Sequence, residues 1–363
     1  MSKIVIITPI FSGSGTGAAV YYPLLVKNLA EKGVKLTIIS EKTQEKISIE
    51  NCEYLGIFPT RSGKEKQIIR DSLGYGWQNI LYLRLPKIVK KIQPELIIVH
   101  SSFYNLPGIF PQVMQKIMAS GAECIIDVRD VLIPRKQVGN LGEYKKAIAC
   151  SENVFNHLIN CGLAKEKINY IPIPQEQLSV NLIEQEQLLL NLGLKDTPYI
   201  FYAGMIKELK AVDLLLEAFT EYVREKLPEL VLVMAGYIKT SNQKIIKLLQ
   251  EKNVCYVGNK NRKEVLQLMK GAKLCINLSP NEGMPRSSLE ALALKCPVLL
   301  PPNVPEFMRF CPDFVVTSRQ PKEIADQIIK VLESGAIPSY PIELHFPERV
   351  IREYEQVFVV PLD

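Results

Sequence analysis

Residues 273–299 read KLCINLSPNEGMPRSSLEALALKCPVL. Lys273 to Ser279 is an apolar, strand-like run, a helical pattern opens near Pro285, and Pro297 to Leu300 is a second strand-like run. The stretch is therefore a strand, a loop, a helix N-terminus and another strand. Glu282 stands on the loop and Glu290 on the helix, with seven residues between them. The unpaired N–H groups and positive dipole end of a helix attract phosphates. Carboxylates accept hydrogen bonds from hydroxyls. A ligand carrying both groups, such as a sugar nucleotide, suits such a place. The plainer account is a pair of acids near the start of an ordinary surface helix, which the dipole favours anyway.

The same alternation fills the rest of the chain. Strands are expected at Ile4–Thr8, Leu36–Ser40, Leu96–His100, Cys124–Asp127, Ala147–Cys150 and Tyr170–Ile173. A second series is expected at Tyr199–Ala203, Leu230–Ala235, Val254–Val257, Leu274–Leu278, Pro297–Leu300 and Phe314–Val316. Helical patterns such as Tyr21–Lys32, Val212–Glu225, Asn261–Lys270 and Lys322–Leu332 lie between them. Continuous Val/Ile/Leu strands imply sheets covered on both faces, hence parallel sheets in α/β layers. Two series of similar size predict two doubly wound domains, at 1–175 and 176–340, with the break in IPIPQEQLSV (Ile171 to Val180) and a closing helix over 341–363. Ligands of such domains bind at the carboxyl ends of strands, which draws attention to His100, Ser101, Gly204 and Glu282.

The 279–299 stretch resembles the Glu-x7-Glu motif of retaining glycosyltransferases of family four, which have the GT-B fold: two Rossmann-like domains facing a cleft. The resemblance implies that Glu282 sits by the donor sugar and Glu290 holds the ribose, with Gly283, Met284, Pro285 and Arg286 around the donor. YAGMIKELKAVDLLLEAF (202–219) is similar to the entry to the family's second domain, with Gly204 after a strand and Lys210 where a lysine grips the diphosphate. Two positions depart from the pattern: Met205 replaces an arginine and Ala211 a glycine. Methionine cannot supply a bidentate fork, so Lys207 or Arg286 is the expected source of the missing charge.

IFSGSGTGAAVYYPLLVKNLAEKG, with Gly13, Gly15, Thr16 and Gly17, resembles the family's first-domain loop against the donor phosphates. It also fits G-x-G-x-x-A, but Pro9 to Ser12 separate the strand from the first glycine, where a dinucleotide fingerprint turns at once. In parts of the resembled family a His after the third expected strand lies near donor sugar and acceptor, which here implies His100; a satisfied core His is the plainer account. ACSENVFNHLINCG resembles the helix before the interdomain link, and FPERVIREYEQVFVV the helix that crosses back to the first domain. IIDVRDVL, with Asp127, Arg129 and Asp130, also ends a strand; it either faces the acceptor or forms an internal Arg–Asp pair, and the pair is the expectation.

The chain has 363 residues, enough for two cores, with 47% hydrophobic and 23% charged residues. The eight Cys show no Cys-x-x-Cys spacing, which excludes a zinc ribbon or disulfide framework and fits the cytoplasm. No apolar run reaches the ~18 residues of a membrane helix. The net charge of +6 is uneven: residues 1–175 hold 22 Lys/Arg against 14 Asp/Glu. Residues 61–91 concentrate cations beside Trp77 and Tyr82, a pattern that fits an anionic membrane surface or a solvated face.

The expectation is a retaining transferase that moves a hexose from a nucleotide-diphosphate sugar to a glycan or lipid-linked hydroxyl, in the cytoplasm or peripherally at the inner membrane face. No metal is expected, since no Asp-x-Asp follows a strand, and no cofactor or nucleic-acid partner is expected either. Three alternatives remain open on the sequence: an inactive sugar-nucleotide-binding subunit, a sugar-nucleotide epimerase, and an NAD(P)-dependent oxidoreductase using the Gly13–Ala18 loop.

Overall fold

A computed structural model describes residues 3–11, 17–43, 47–58, 77–105, 109–131 and 141–357. The apolar runs form two parallel sheets. The first holds β1 (Lys3–Ile7), β2 (Lys35–Glu41), β3 (Cys52–Phe58), β4 (Leu96–His100), β5 (Glu123–Val128), β6 (Lys146–Ala149) and β7 (Ile168–Tyr170), in the order β3-β2-β1-β4-β5-β6-β7. The second holds β8 (Tyr199–Ala203), β9 (Val231–Ala235), β10 (Val254–Tyr256), β11 (Leu274–Ile276) and β12 (Val298–Leu299), in the order β10-β9-β8-β11-β12. Strand order reverses between β1 and β4 in one sheet and between β8 and β11 in the other. Outside the carboxyl ends of the strands, these reversals leave crevices for ligands.

The helices are placed by ordinary signals. In chain order, those used below are α1 (Gly17–Glu31), α2 (Glu152–Asn160), α3 (Leu182–Asn191), α4 (Val212–Glu217), α5 (Arg262–Gly271), α6 (Arg286–Ala293), α7 (Pro321–Ser334) and α8 (Pro347–Val357). Ser151 caps α2 by accepting from the Val154 N–H. Asn261 caps α5 in a reciprocal box with Glu264. Gly335 ends α7 at φ 59°, a left-handed conformation that glycine adopts without strain.

The chain divides into two compact units, Met1–Pro174 with Leu344–Asp363, and Gln175–Glu343. The core of the first gathers Ile4, Ile6, Ile38 and Ile98 from the sheet, Tyr22 and Leu25 from α1, and Val350, Ile351 and Tyr354 from α8. Burying each such side chain contributes about 1.5–3 kcal/mol, so α8 is an integral part of this unit. His345, just before it, is buried and donates from Nδ1 to the Ile173 carbonyl at 2.9 Å. The core of the second unit joins Ile200, Leu232, Met234 and Leu274 to Val212 and Leu216 of α4 and Ile324 and Ile328 of α7.

Four details differ from the sequence reading. The last strand of the first sheet is Ile168–Tyr170, which overlaps the expected Tyr170–Ile173 only at Tyr170. Strand β3 was not expected; its side chains are only half buried, so CEYLGIF carries no continuous apolar run. The run Phe314–Val316 is no strand: a 3-10 turn occupies Pro312–Phe314 and a single parallel bridge joins Val315 to Leu300. The helix that starts at Val212 passes through a π-helical turn at Ala218–Val223. All eight Cys are free. Among the described residues no helix is long and apolar enough to cross a membrane.

Candidate functional site

The second unit's reversal lies between the ends of β8 and β11. Beyond β8, the Gly204 N–H donates to the Ala235 carbonyl at 3.0 Å. Gly236, just past β9, has φ 142°, and a Cβ there would fall 1.9 Å from the Gly204 carbonyl oxygen. Only glycine permits this approach. Met205 is half exposed, and its carbonyl accepts from the Tyr202 hydroxyl at 2.9 Å. A short 3-10 turn, Glu208–Lys210, then leads into α4, with Ala211 at φ 53°. A left-handed residue is what the glycine of the resembled pattern would supply without strain, and the alanine pays about 1 kcal/mol for it.

Lys210 and Glu282 meet here: Nζ lies 2.5 Å from Oε1, although 72 positions separate them. The two residues singled out by the sequence on different loops are thus brought together at the strand-order reversal. Burial and the Glu282 charge push the Tyr202 phenol well above its usual range. Lys207 is also close. Burial, and then the charges of Lys210 and Lys239, hold its ammonium below the ordinary lysine value, against the opposing pull of Glu282. Lys239 was not singled out from the sequence. It comes from the loop after β9, and only pairing between loops reveals it.

Past β11, the loop turns back on itself. Asn277 Oδ1 accepts from the Ser279 N–H at 3.0 Å, and Asn303 Nδ2 donates to the Glu282 carbonyl at 3.1 Å. Gly283, Met284 and Pro285 are buried, and α6 begins at Arg286 with no side-chain cap on its N-terminus. Arg286 reaches Gln175 Oε1 at 3.5 Å. Glu290 is buried on α6, where Arg262 Nε donates to its Oε1 at 3.0 Å. Arg262, the first residue of α5, also lies 3.5 Å from Glu176. The sequence reading missed this arginine, because its link to Glu290 spans two helices.

In the first unit, the reversal between β1 and β4 carries His100. Its Nδ1 accepts the Ser102 N–H at 3.0 Å and lies 2.8 Å from Ser102 Oγ. An accepting Nδ1 places the ring proton of a neutral imidazole on Nε2. The ring packs 5.6 Å from that of Tyr22. Asp127, the register partner of His100 on the next strand, is fully buried. It accepts from the Tyr22 hydroxyl at 2.8 Å and from Arg129 Nε at 2.9 Å. Arg129 Nη2 in turn donates to the Tyr354 hydroxyl at 2.6 Å, and the guanidinium lies 3.6 Å from the centre of the Tyr21 ring. The Asp–Arg pair is internal, as expected.

Gly17 opens α1, while Gly13, Gly15 and Thr16 lie outside the described residues. So do Arg61, Lys64, Lys66 and Arg70 of the basic stretch. Its described cations, Arg84, Lys87, Lys90 and Lys91, are exposed. Tyr82 is buried against Phe58, Phe103 and Phe110, so this aromatic serves the core, whereas Ile80 and Leu83 are exposed beside the cations.

Comparison with known proteins bears on this geometry. Residues 186–344 match the family model of glycosyl transferases group 1. An α-galactosylglucosyldiacylglycerol synthase of Streptococcus pneumoniae is 27% identical over 156 residues, 39% of this chain and 40% of that protein. The match thus spans well under half of that relative. HepE of Anabaena, solved in complex with UDP and glucose, superposes with a TM-score of 0.71 at 15% identity, covering 98% of this chain and 95% of HepE. A sucrose-phosphate synthase from Thermosynechococcus elongatus gives 0.71 at 15% identity, covering 99% and 95%. At such identities the likeness shows the fold. Residues 186–344, which hold Lys210, Glu282 and Glu290, match the glycosyl transferases group 1 model, and the chain as a whole shares the GT-B-type α/β fold of these solved structures.

Proposed function

We propose that this chain is a retaining glycosyltransferase that moves a hexose from a nucleotide-diphosphate sugar to a sugar or lipid-linked hydroxyl. The observation that carries the reading is the meeting of Lys210 and Glu282 at the strand-order reversal of the second unit, on the loop that leads into the uncapped start of α6. In the reaction, the bond from the anomeric carbon to the diphosphate oxygen breaks. The acceptor oxygen bonds to that carbon on the same face, and its proton leaves with the diphosphate. Negative charge grows on the leaving oxygen. Lys210 and the N–H groups at the start of α6 are proposed to stabilise it, which is the kind of electrostatic preorganisation that carries most catalysis. Glu282 is proposed to hold the donor sugar and Glu290, oriented by Arg262, the ribose. Gly204 gives the donor close access to backbone. His100 is the proposed acceptor-side group. No metal is assigned a role.

HepE, whose structures contain UDP, UDP-glucose and glucose, supports a nucleotide-sugar donor. The name of the streptococcal relative, a diacylglycerol glycolipid synthase, supports a lipid-linked acceptor. The exposed cations Arg84, Lys87, Lys90 and Lys91 beside Leu83 suit an anionic membrane surface.

The test is thermal shift against UDP-, GDP- and ADP-sugars, NAD and NADP, with Glu290→Ala alongside, followed by transfer with the stabilising donor. The expected result is stabilisation by one sugar nucleotide, lost in the variant, and a product with the donor's anomeric configuration. Stabilisation by NAD(P) alone would overturn the reading in favour of an oxidoreductase. Donor binding without transfer would leave an inactive binding subunit, and conversion of the donor without an acceptor an epimerase.

A further inference from the structure

Strands β8 and β9 remain paired beyond their last ladder residues. Ile206 and Ile238 form an isolated parallel bridge. The Ile206 N–H donates to the Tyr237 carbonyl at 2.9 Å, and the Lys239 N–H to the Ile206 carbonyl at 2.9 Å. The next residues in this register are Lys207 and Lys239. Neighbouring parallel strands lie about 5 Å apart, with register partners pointing to the same side. Two lysines so placed repel each other. The loops are nonetheless tied together, because the Thr240 hydroxyl donates to Glu208 Oε1 while accepting the Asn242 N–H at 3.0 Å.

Lys210 adds a third cation. Lys210 and Lys239 both act on Lys207 electrostatically, and Glu282 is the carboxylate that opposes them. Glu282 is engaged by Lys210, and Glu208 by Thr240. Three ammonium groups are therefore gathered against two carboxylates, Glu282 and Glu208, at the place where ligands of this fold bind. An anionic ligand completes such a set. Position 205, where the resembled pattern has arginine, is Met205.

We propose that Lys239 and Lys207 form a two-ammonium clamp on the donor diphosphate, replacing the guanidinium absent at position 205. The inference rests on the sugar-nucleotide reading of this site. Two ammonium groups are separate point charges, unlike a planar fork. The clamp therefore reads the number of phosphate charges more than their geometry, and it discriminates diphosphate from monophosphate.

The experiment is calorimetric titration of the full chain with the nucleoside, the nucleoside monophosphate and the nucleoside diphosphate of each common base. It compares wild type with Lys239→Ala, Lys239→Gln, Lys239→Arg and a remote surface control, Lys330→Ala. Removing one charge-assisted contact should weaken diphosphate binding about tenfold, with the nucleoside unaffected. Lys239→Arg should restore most of it, and Lys330→Ala should change nothing. Melting of the unligated protein should move up in Lys239→Ala, because the lysine repulsion is gone. If Lys239→Ala and Lys239→Gln bind diphosphate like wild type, or lose nucleoside and diphosphate affinity alike, the clamp is wrong. If wild type itself binds no nucleoside diphosphate, the sugar-nucleotide reading falls first, and the clamp with it.

Discussion

Each unit holds a carboxylate–cation pair near its strand-order reversal, and the two pairs are built for different ends. In Asp127–Arg129 the side chains are 0% and 11% exposed, and Tyr22, Tyr21 and Tyr354 wrap them. In Glu282–Lys210 they are 15% and 23% exposed, with Lys207 and Lys239 close by. The two charges of the first pair face each other inside a shell of tyrosines. The second sits in a surplus of positive charge that its neighbours do not cancel. A pair closed by hydroxyls and rings holds structure together; a pair left in an unbalanced field is available to a ligand.

Four substitutions or titrations separate these roles. The largest effect is expected from Arg129→Ala, which leaves Asp127 buried without its cation and should destabilise the protein by about 3–5 kcal/mol. Denaturant unfolding would measure it; a change under 1 kcal/mol would show the pair to be dispensable to the fold. Lys210→Ala should do the reverse. It should lower kcat/KM by about 10²–10³-fold, while stability changes by less than about 1 kcal/mol, as for other part-exposed pairs. Steady-state kinetics and melting on the same preparation would show the split, and equal damage to both would erase the contrast.

Arg262→Ala comes next. Glu290 would stand on α6 without the guanidinium that orients it. Donor KM should rise about tenfold with kcat nearly unchanged, since the loss falls on ground-state and transition-state binding alike. A fall confined to kcat would place Arg262 elsewhere in the chemistry. The smallest effect is a pH dependence. Lys207 has its pKa lowered in the folded protein by burial and by Lys210 and Lys239, relative to the usual 10.5. Between the two values the unfolded chain binds more protons, so stability of the unligated protein rises with pH through that window. Diphosphate affinity should fall over the same window as Lys207 loses its charge. In Lys239→Ala both transitions should move to higher pH, and an unmoved midpoint would deny the Lys207–Lys239 coupling.

The sequence disclosed those parts of this arrangement that lie within one local pattern. The buried strands were legible because β1, β2, β4, β5, β8 and β9 are short, largely apolar runs covered on both faces. The edge strand β3 was not, since one exposed side breaks its apolar run. Glu282, Glu290 and Lys210 could be picked out from strand-to-helix turns. Their partners could not. Arg262 meets Glu290 through the packing of α5 on α6, and Lys239 meets Lys207 through a bridge that extends two strands by a few residues. Gly236 is a similar case, its purpose visible only once the Gly204 carbonyl is found against it.

The placement of α8 has a consequence for how the chain is made. Synthesis proceeds from the N-terminus, so Tyr354 can reach Arg129 only after every residue of Gln175–Glu343 has left the ribosome's catalytic centre. The second unit is continuous in sequence and has all its residues first. Domains commonly fold in order of emergence. Here the nascent first unit must wait, its α1 face lacking Val350, Ile351 and Tyr354, while the segment inserted within it is completed.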